Sequence, residues 1–193
     1  MKFFLALVLV TAALSVRSQN IIHWDGIYEL NVSDFQATGS QIGSGDIYSF
    51  SAGSSFSFAF HMTNGEFMFT KNFNSKVDCT FDRSLSVLIA PDSAIANNIV
   101  AFARYEFDLC ELYARKLRQR LYDEKGAFSD VSFFRPIYDQ TQREYAERRT
   151  TAATATELGA NKEKLNSLRG EVKSETEALA DFCKTCKPPK RKK

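Results

Sequence analysis

Few side chains in this 193-residue chain are of the types that carry covalent or metal chemistry. Histidine occurs twice, as His23 and His61, so no two-histidine metal motif can form. A Ser–His–Asp site needs a serine on a sharp turn entering a helix, and the chain has no G-x-S-x-G elbow. Ser54 instead precedes a run with strand alternation. Only a polar cleft converging on His61 with a carboxylate would support a hydrolase, and the expectation is a protein that is not an enzyme and takes no cofactor and no catalytic metal. The glycines Gly39, Gly43 and Gly45 lack the following lysine of a phosphate loop and read as a flexible connection.

Four cysteines, Cys79, Cys110, Cys183 and Cys186, remain. Cys183 and Cys186 match C-x-x-C, but redox-active pairs sit at helix N-termini, where the dipole stabilises thiolate. This pair stands at the end of a helical stretch and before Pro188-Pro189, which favours a structural disulfide. Three pairings are possible. The preferred one links Cys79 and Cys110 to Cys183 and Cys186 and locks the last helix to the rest. The competing one joins Cys79 to Cys110 and leaves a local Cys183–Cys186 link. Asn31-Val32-Ser33 is an N-glycosylation sequon at an expected strand end.

Residues 1–18 explain why disulfides and a glycan are expected at all. Lys2, the apolar run from Phe3 to Leu14, and the small residues Val16 and Ser18 before Gln19 have the layout of a secretory signal peptide. That run is too short to stay in a bilayer, and no later segment approaches the span length of about 18 apolar residues, so no transmembrane segment is expected. The reading is therefore a secreted, extracellular protein in an oxidising compartment.

Charge is unevenly spread. Removing Lys2 and Arg17 with the leader leaves 23 basic against 23 acidic residues. Six of the basic ones, Lys184, Lys187, Lys190, Arg191, Lys192 and Lys193, fall in the last ten positions, so residues 19–183 carry −6. A basic arm on an acidic body points to polyanion binding: a sulfated glycan of the heparin type, or the acidic face of an extracellular protein. Nucleic acid is not an expected partner of a secreted chain, and a monomer is favoured.

The elements that position these residues divide the chain at 18, 90 and 183. Residues 19–90 read as antiparallel strands. Phe56, Phe58, Phe60 and Met62 alternate with Ser55, Ser57, Ala59 and His61, and Asn64-Gly65 is a type I′ hairpin signal that would pair them with Phe67, Phe69 and Phe73. Val77, Cys79 and Phe81 form another strand, with Gly26 to Val32 and Asp46 to Phe50 as shorter candidates. Residues 91–183 read as a helical hairpin. Pro91-Asp92 opens a long helix with the stripe Ile95, Ile99, Phe102, Leu109, Tyr113 and Leu117, ended by Gly126, and a loop through Phe128 and Phe134 follows. Thr141 to Glu144 resembles a capping box for a second helix reaching Cys183. Its Leu158, Leu165, Val172 and Leu179 recur every seven residues, either as a coiled-coil seam for a partner or as packing within one chain. The fold class is α+β: an antiparallel sheet with a Phe-rich hairpin, covered by a long-helix hairpin, disulfide-stapled, with 184–193 as a basic disordered tail.

In layout the chain resembles small secreted effectors of arthropod saliva or venom. That resemblance implies engagement of an extracellular host protein such as a receptor, clotting factor or immune protein. A carrier function is the alternative, with a small apolar ligand held in a pocket lined by Phe58, Phe60, Phe69 and Phe102.

Overall fold

A computed structural model of the chain describes residues 20–43, 45–59, 62–126 and 130–188, apart from the side chain of Val131. The expected signal peptide, Phe60, His61, Phe128 and the tail residues Lys190, Arg191, Lys192 and Lys193 lie outside the described residues.

The architecture is α+β, built around one helix. Among the described residues, six short strands make two three-stranded sheets. In the first, β1 (Ile21–His23) and β4 (Ser54–Phe58) flank β5 (Val77–Asp82), all antiparallel. In the second, β6 (Val87–Ala90) is central, with β2 (Gln41–Ile42) parallel and β3 (Ser49–Ser51) antiparallel to it. The expected alternation holds in β5, where Val77, Cys79 and Phe81 are buried and Asp78, Thr80 and Asp82 are not. It holds in β4 only as far as Phe58. Gly26 to Val32 is not a strand; its end enters a short 3-10 turn at Val32–Asp34.

The Phe-rich hairpin is not formed. Phe56 pairs with Cys79 and Phe58 with Val77 in β5, while Asn64-Gly65 begins α1 (Asn64–Phe69). The competing local signal is Thr63-x-x-Glu66: the Glu66 N–H donates to Thr63 Oγ1 at 3.1 Å, and Glu66 pairs with Lys76 at 2.6 Å. Tertiary packing favours the helix as well. Phe67 is buried under Phe133 and Phe134, with ring centroids 6.0 and 5.5 Å away, whereas Phe69 is 89% exposed.

The long helix, α2 (Ser93–Glu124), is capped by Asp92, whose Oδ1 accepts from the Ile95 N–H at 2.8 Å. It is buried on several sides. Sheet residues cover one side, and two further helices cover others: α3 (Phe134–Ala155) and α4 (Lys162–Ala178). The second helix is thus two helices, and the hairpin is a three-helix layer. α3 starts seven residues before Thr141, with Pro136 in its first turn, where a missing N–H costs little. Thr141 is buried mid-helix and donates to the Ile137 carbonyl.

Between α3 and α4 the chain turns through three consecutive positive-φ residues, Glu157 (49°), Leu158 (51°) and Gly159 (93°). A Cβ at Gly159 would stand 2.1 Å from the Asn98 carbonyl of α2. Glycine is therefore required there both for its backbone angle and for the close approach. The turn sends α4 back along α2 and buries Leu165 and Val172 in the chain's own core, so the heptad seam is spent internally.

The core between these layers is largely aromatic. Phe58, Phe73 and Phe134 stack at 4.8 to 6.4 Å, and Phe35, Phe81 and Phe107 form a second chain of ring contacts at 5.7 and 6.0 Å. At its far end, Arg118 of α2 is fully buried. It donates to Glu111 Oε1 at 2.8 Å, to the Val77 carbonyl at 3.0 Å and to the Phe182 carbonyl at 3.0 Å.

Candidate functional site

The basic residues expected in a disordered tail are not all free. Cys183 and Cys186 are joined by a disulfide that closes a tight turn after Phe182. Asn72 and Asn74 both donate to the Cys186 carbonyl, at 3.2 and 2.9 Å, and Asn74 also donates to the Asp181 carbonyl. Lys184 pairs with Asp78 at 2.8 Å, and His23 reaches the same carboxylate at 3.0 Å. Burial pushes the Asp78 carboxyl up, but hydrogen bonds from Lys184 and His23 outweigh it and hold the group below the usual aspartate range. Residues 184–188 are thus the root of the arm, pinned to β5, and Lys187 is its first cation without an ion pair among the described residues.

The disulfide assignment changes accordingly. The long-range links from Cys79 and Cys110 to Cys183 and Cys186 are not made, because the C-terminal pair closes on itself. Cys79 on β5 and Cys110 on α2 are buried free thiols. Burial, and then the neighbouring Cys110, push the Cys79 thiol well up. What ties the last segment to the body is Arg118, Asn72, Asn74 and the Lys184–Asp78 pair, not a long-range disulfide.

Asn31 is exposed and caps the 3-10 turn at Val32–Asp34, accepting from both the N–H and the hydroxyl of Ser33. The turn is held from beneath by Asp34. This buried carboxylate accepts from the Asn31 N–H, the Tyr28 hydroxyl and Arg83 at 2.8 to 2.9 Å.

The three described phenylalanines of the carrier reading do not converge. Phe58 and Phe102 are buried in the packed core, Phe69 points into solvent, and Phe60 lies outside the described residues. Among the described residues, no group of three or more His, Cys, Asp or Glu side chains is placed to hold a metal ion. Nor is any helix among them long and apolar enough to cross a membrane.

A cleft that sequence reasoning missed lies on the other side of α2. It has a volume of about 610 Å³ and lies between the segment after β1 and one flank of α4, with Trp24, Asp108, Arg115, Arg169, Val172 and Lys173 in its lining. Past Gly26 and Asp108 it continues into a recess of about 120 Å³ beside Tyr28, Leu30 and Phe107. Trp24 is fixed in place. Its indole N–H donates to Asp108 at 3.0 Å, and the Arg115 guanidinium sits 5.5 Å from its ring centroid. Burial raises the Asp108 carboxyl above the usual aspartate range, against the opposing pull of Trp24 and Arg169. These residues come from three separate segments, so no local spacing could announce them. The lone tryptophan was the only available signal. Comparison with family models, characterised proteins and solved structures finds no match to this chain.

Proposed function

We propose that the protein is a secreted, non-enzymatic binding protein of effector type that engages sulfated glycans or extracellular host proteins through its basic C-terminal arm. The observation that carries this reading is the fixed root. A disulfide-closed turn, held by Asn72, Asn74 and the Lys184–Asp78 pair, gives the cations that follow a defined point of departure. Lys184 is spent in holding that root, so binding falls to Lys187, Lys190, Arg191, Lys192 and Lys193. The body between the leader and the arm is acidic and repels polyanions.

Exposed charges are screened beyond roughly 8 Å at physiological salt, so the interaction is modest and salt-sensitive. Heparin chromatography of the chain without residues 1–18 tests this. Retention at low salt, and its loss on truncation after Cys186, is expected. Elution of both forms at the same salt would show the arm to be passive.

A further inference from the structure

The cleft beside Trp24 has charges that the fold itself does not use. α4 sorts its ionic side chains between two flanks. On the flank facing α3, Glu175 pairs with Arg148 and Lys116 at 2.6 and 2.8 Å, and Glu171 approaches Arg148 at 4.0 Å. On the flank facing the cleft stand Arg169 and Lys173, four residues apart. Neither has an ion-pair partner within 4 Å among the described residues. Like charges at that spacing weaken a helix, and an anion placed between them would relieve the repulsion.

Three of the other four charged groups of the cleft are already engaged. Arg115 donates to Glu111 at 3.0 Å and to the Thr176 carbonyl at 2.9 Å. Glu29 pairs with Arg104 at 3.2 Å, and Asp108 accepts from the indole. Glu177, the remaining acid of the lining, lies one helical turn beyond Lys173, away from Arg169. Between the two cations and the far wall, the accessible apolar contacts are the Trp24 ring and Ala180, Val172 being buried in the core. The volume falls within the range of small-molecule sites, in which an apolar lining supplies the area and a few polar groups fix orientation.

We propose that this cleft binds small amphipathic organic anions, with the hydrocarbon body on Trp24 and Ala180 and a sulfate or carboxylate held by Arg169 and Lys173. The site is independent of the C-terminal arm, so each reading can fail without the other.

Trp24 is the chain's single tryptophan, and its fluorescence reports the cleft directly. Hexyl sulfate serves as the probe, with 1-hexanol and inorganic sulfate as separate arms. Calorimetry runs beside the fluorescence titration, on the chain without residues 1–18 and on the same chain truncated after Cys186. Hexyl sulfate is expected to shift Trp24 emission saturably in both chains and to bind at least about tenfold more tightly than either hexanol or sulfate, because neither supplies both contacts. Arg169→Gln/Lys173→Gln is expected to lose about tenfold or more in affinity. Each single variant should lose part of that, which keeps the test valid should the double variant fold poorly. Unchanged affinity in the singles and the double, absence of saturation below the micelle concentration, or sulfate binding as tightly as hexyl sulfate would each overturn the proposal.

Discussion

Replacing Arg118 with methionine keeps most of the aliphatic volume and removes the guanidinium that joins three distant segments. In the wild type that group donates to Glu111 within α2, to the Val77 carbonyl of β5 and to the Phe182 carbonyl before the disulfide turn. Glu111 would keep its 3.0 Å bond from Arg115, but its charge would be half-compensated in a buried site, and two buried carbonyls would lose their donors. Breaking a buried ion pair from one side costs about 3–5 kcal/mol. The Arg118 Nε has no hydrogen-bond partner among the described residues, a cost that the wild type already bears. The lower part of the range, about 3–4 kcal/mol, is therefore expected. For a domain of this size each kcal/mol shifts Tm by about 2–4 °C, so thermal unfolding should move down by roughly 6–16 °C. Hydrogen exchange should quicken first at residues 179–186, which lose their anchor to α2. Adding Glu111→Gln removes the stranded charge, so the double variant should be less damaged than the sum of the singles by about 1 kcal/mol or more. A Tm loss under about 3 °C, or strict additivity, would show that the network does not staple the fold.

Two further outcomes concern thiols and pH. Closing Cys79 and Cys110 on each other, with oxidised glutathione taking up their two electrons and two protons, would constrain a loop worth about 3.7 kcal/mol by chain entropy. The structure keeps both reduced, so two labelled cysteines are expected under denaturing, non-reducing conditions, and finding none would show that the bridge forms. For Asp108, the folded-state pKa is raised by burial above its unfolded value. Its contribution to stability is therefore complete below the unfolded pKa and is lost as pH rises through the folded one. Asp108→Asn should match wild type near about pH 3 and exceed it in Tm near about pH 7; a variant less stable at neutral pH would reverse the sign of the argument.

Much of the helical layer was legible in the sequence. Pro91-Asp92, the apolar stripe from Ile95 to Leu117 and Gly126 locate α2 within two or three residues of its ends. The burial of Glu111 and Arg118 was not legible, because periodicity reports one face, whereas α2 is covered by the sheets, α3 and α4. The hairpin failed for a different reason. Asn64-Gly65 and Thr63-x-x-Glu66 are both strong local signals on overlapping residues, and the choice between them is made by Phe67 meeting Phe133 and Phe134 from a later segment. The expected disulfide staple rested on the closeness of Cys183 and Cys186 on one surface. The same closeness lets them bond to each other.

The candidate site and the coiled-coil question share one cause. Leu158, Leu165 and Val172 keep heptad spacing, and on an unbroken helix they would form a seam running out past the end of α2. The three positive-φ residues from Glu157 to Gly159 break that helix, and the approach of Gly159 to the Asn98 carbonyl fixes where the return begins. Once α4 lies along α2, Leu165 and Val172 point into the core and Glu175 meets Arg148 and Lys116. Arg169 and Lys173, on the opposite flank, are then brought to Trp24 and Asp108, which themselves lie 84 residues apart. The cleft is therefore a product of the turn. Its two cations form no ion pair within 4 Å among the described residues. The binding surface can thus be altered at Arg169 and Lys173 with little loss of stability, whereas a side chain at Gly159 would remove the return path of α4 and the cleft with it.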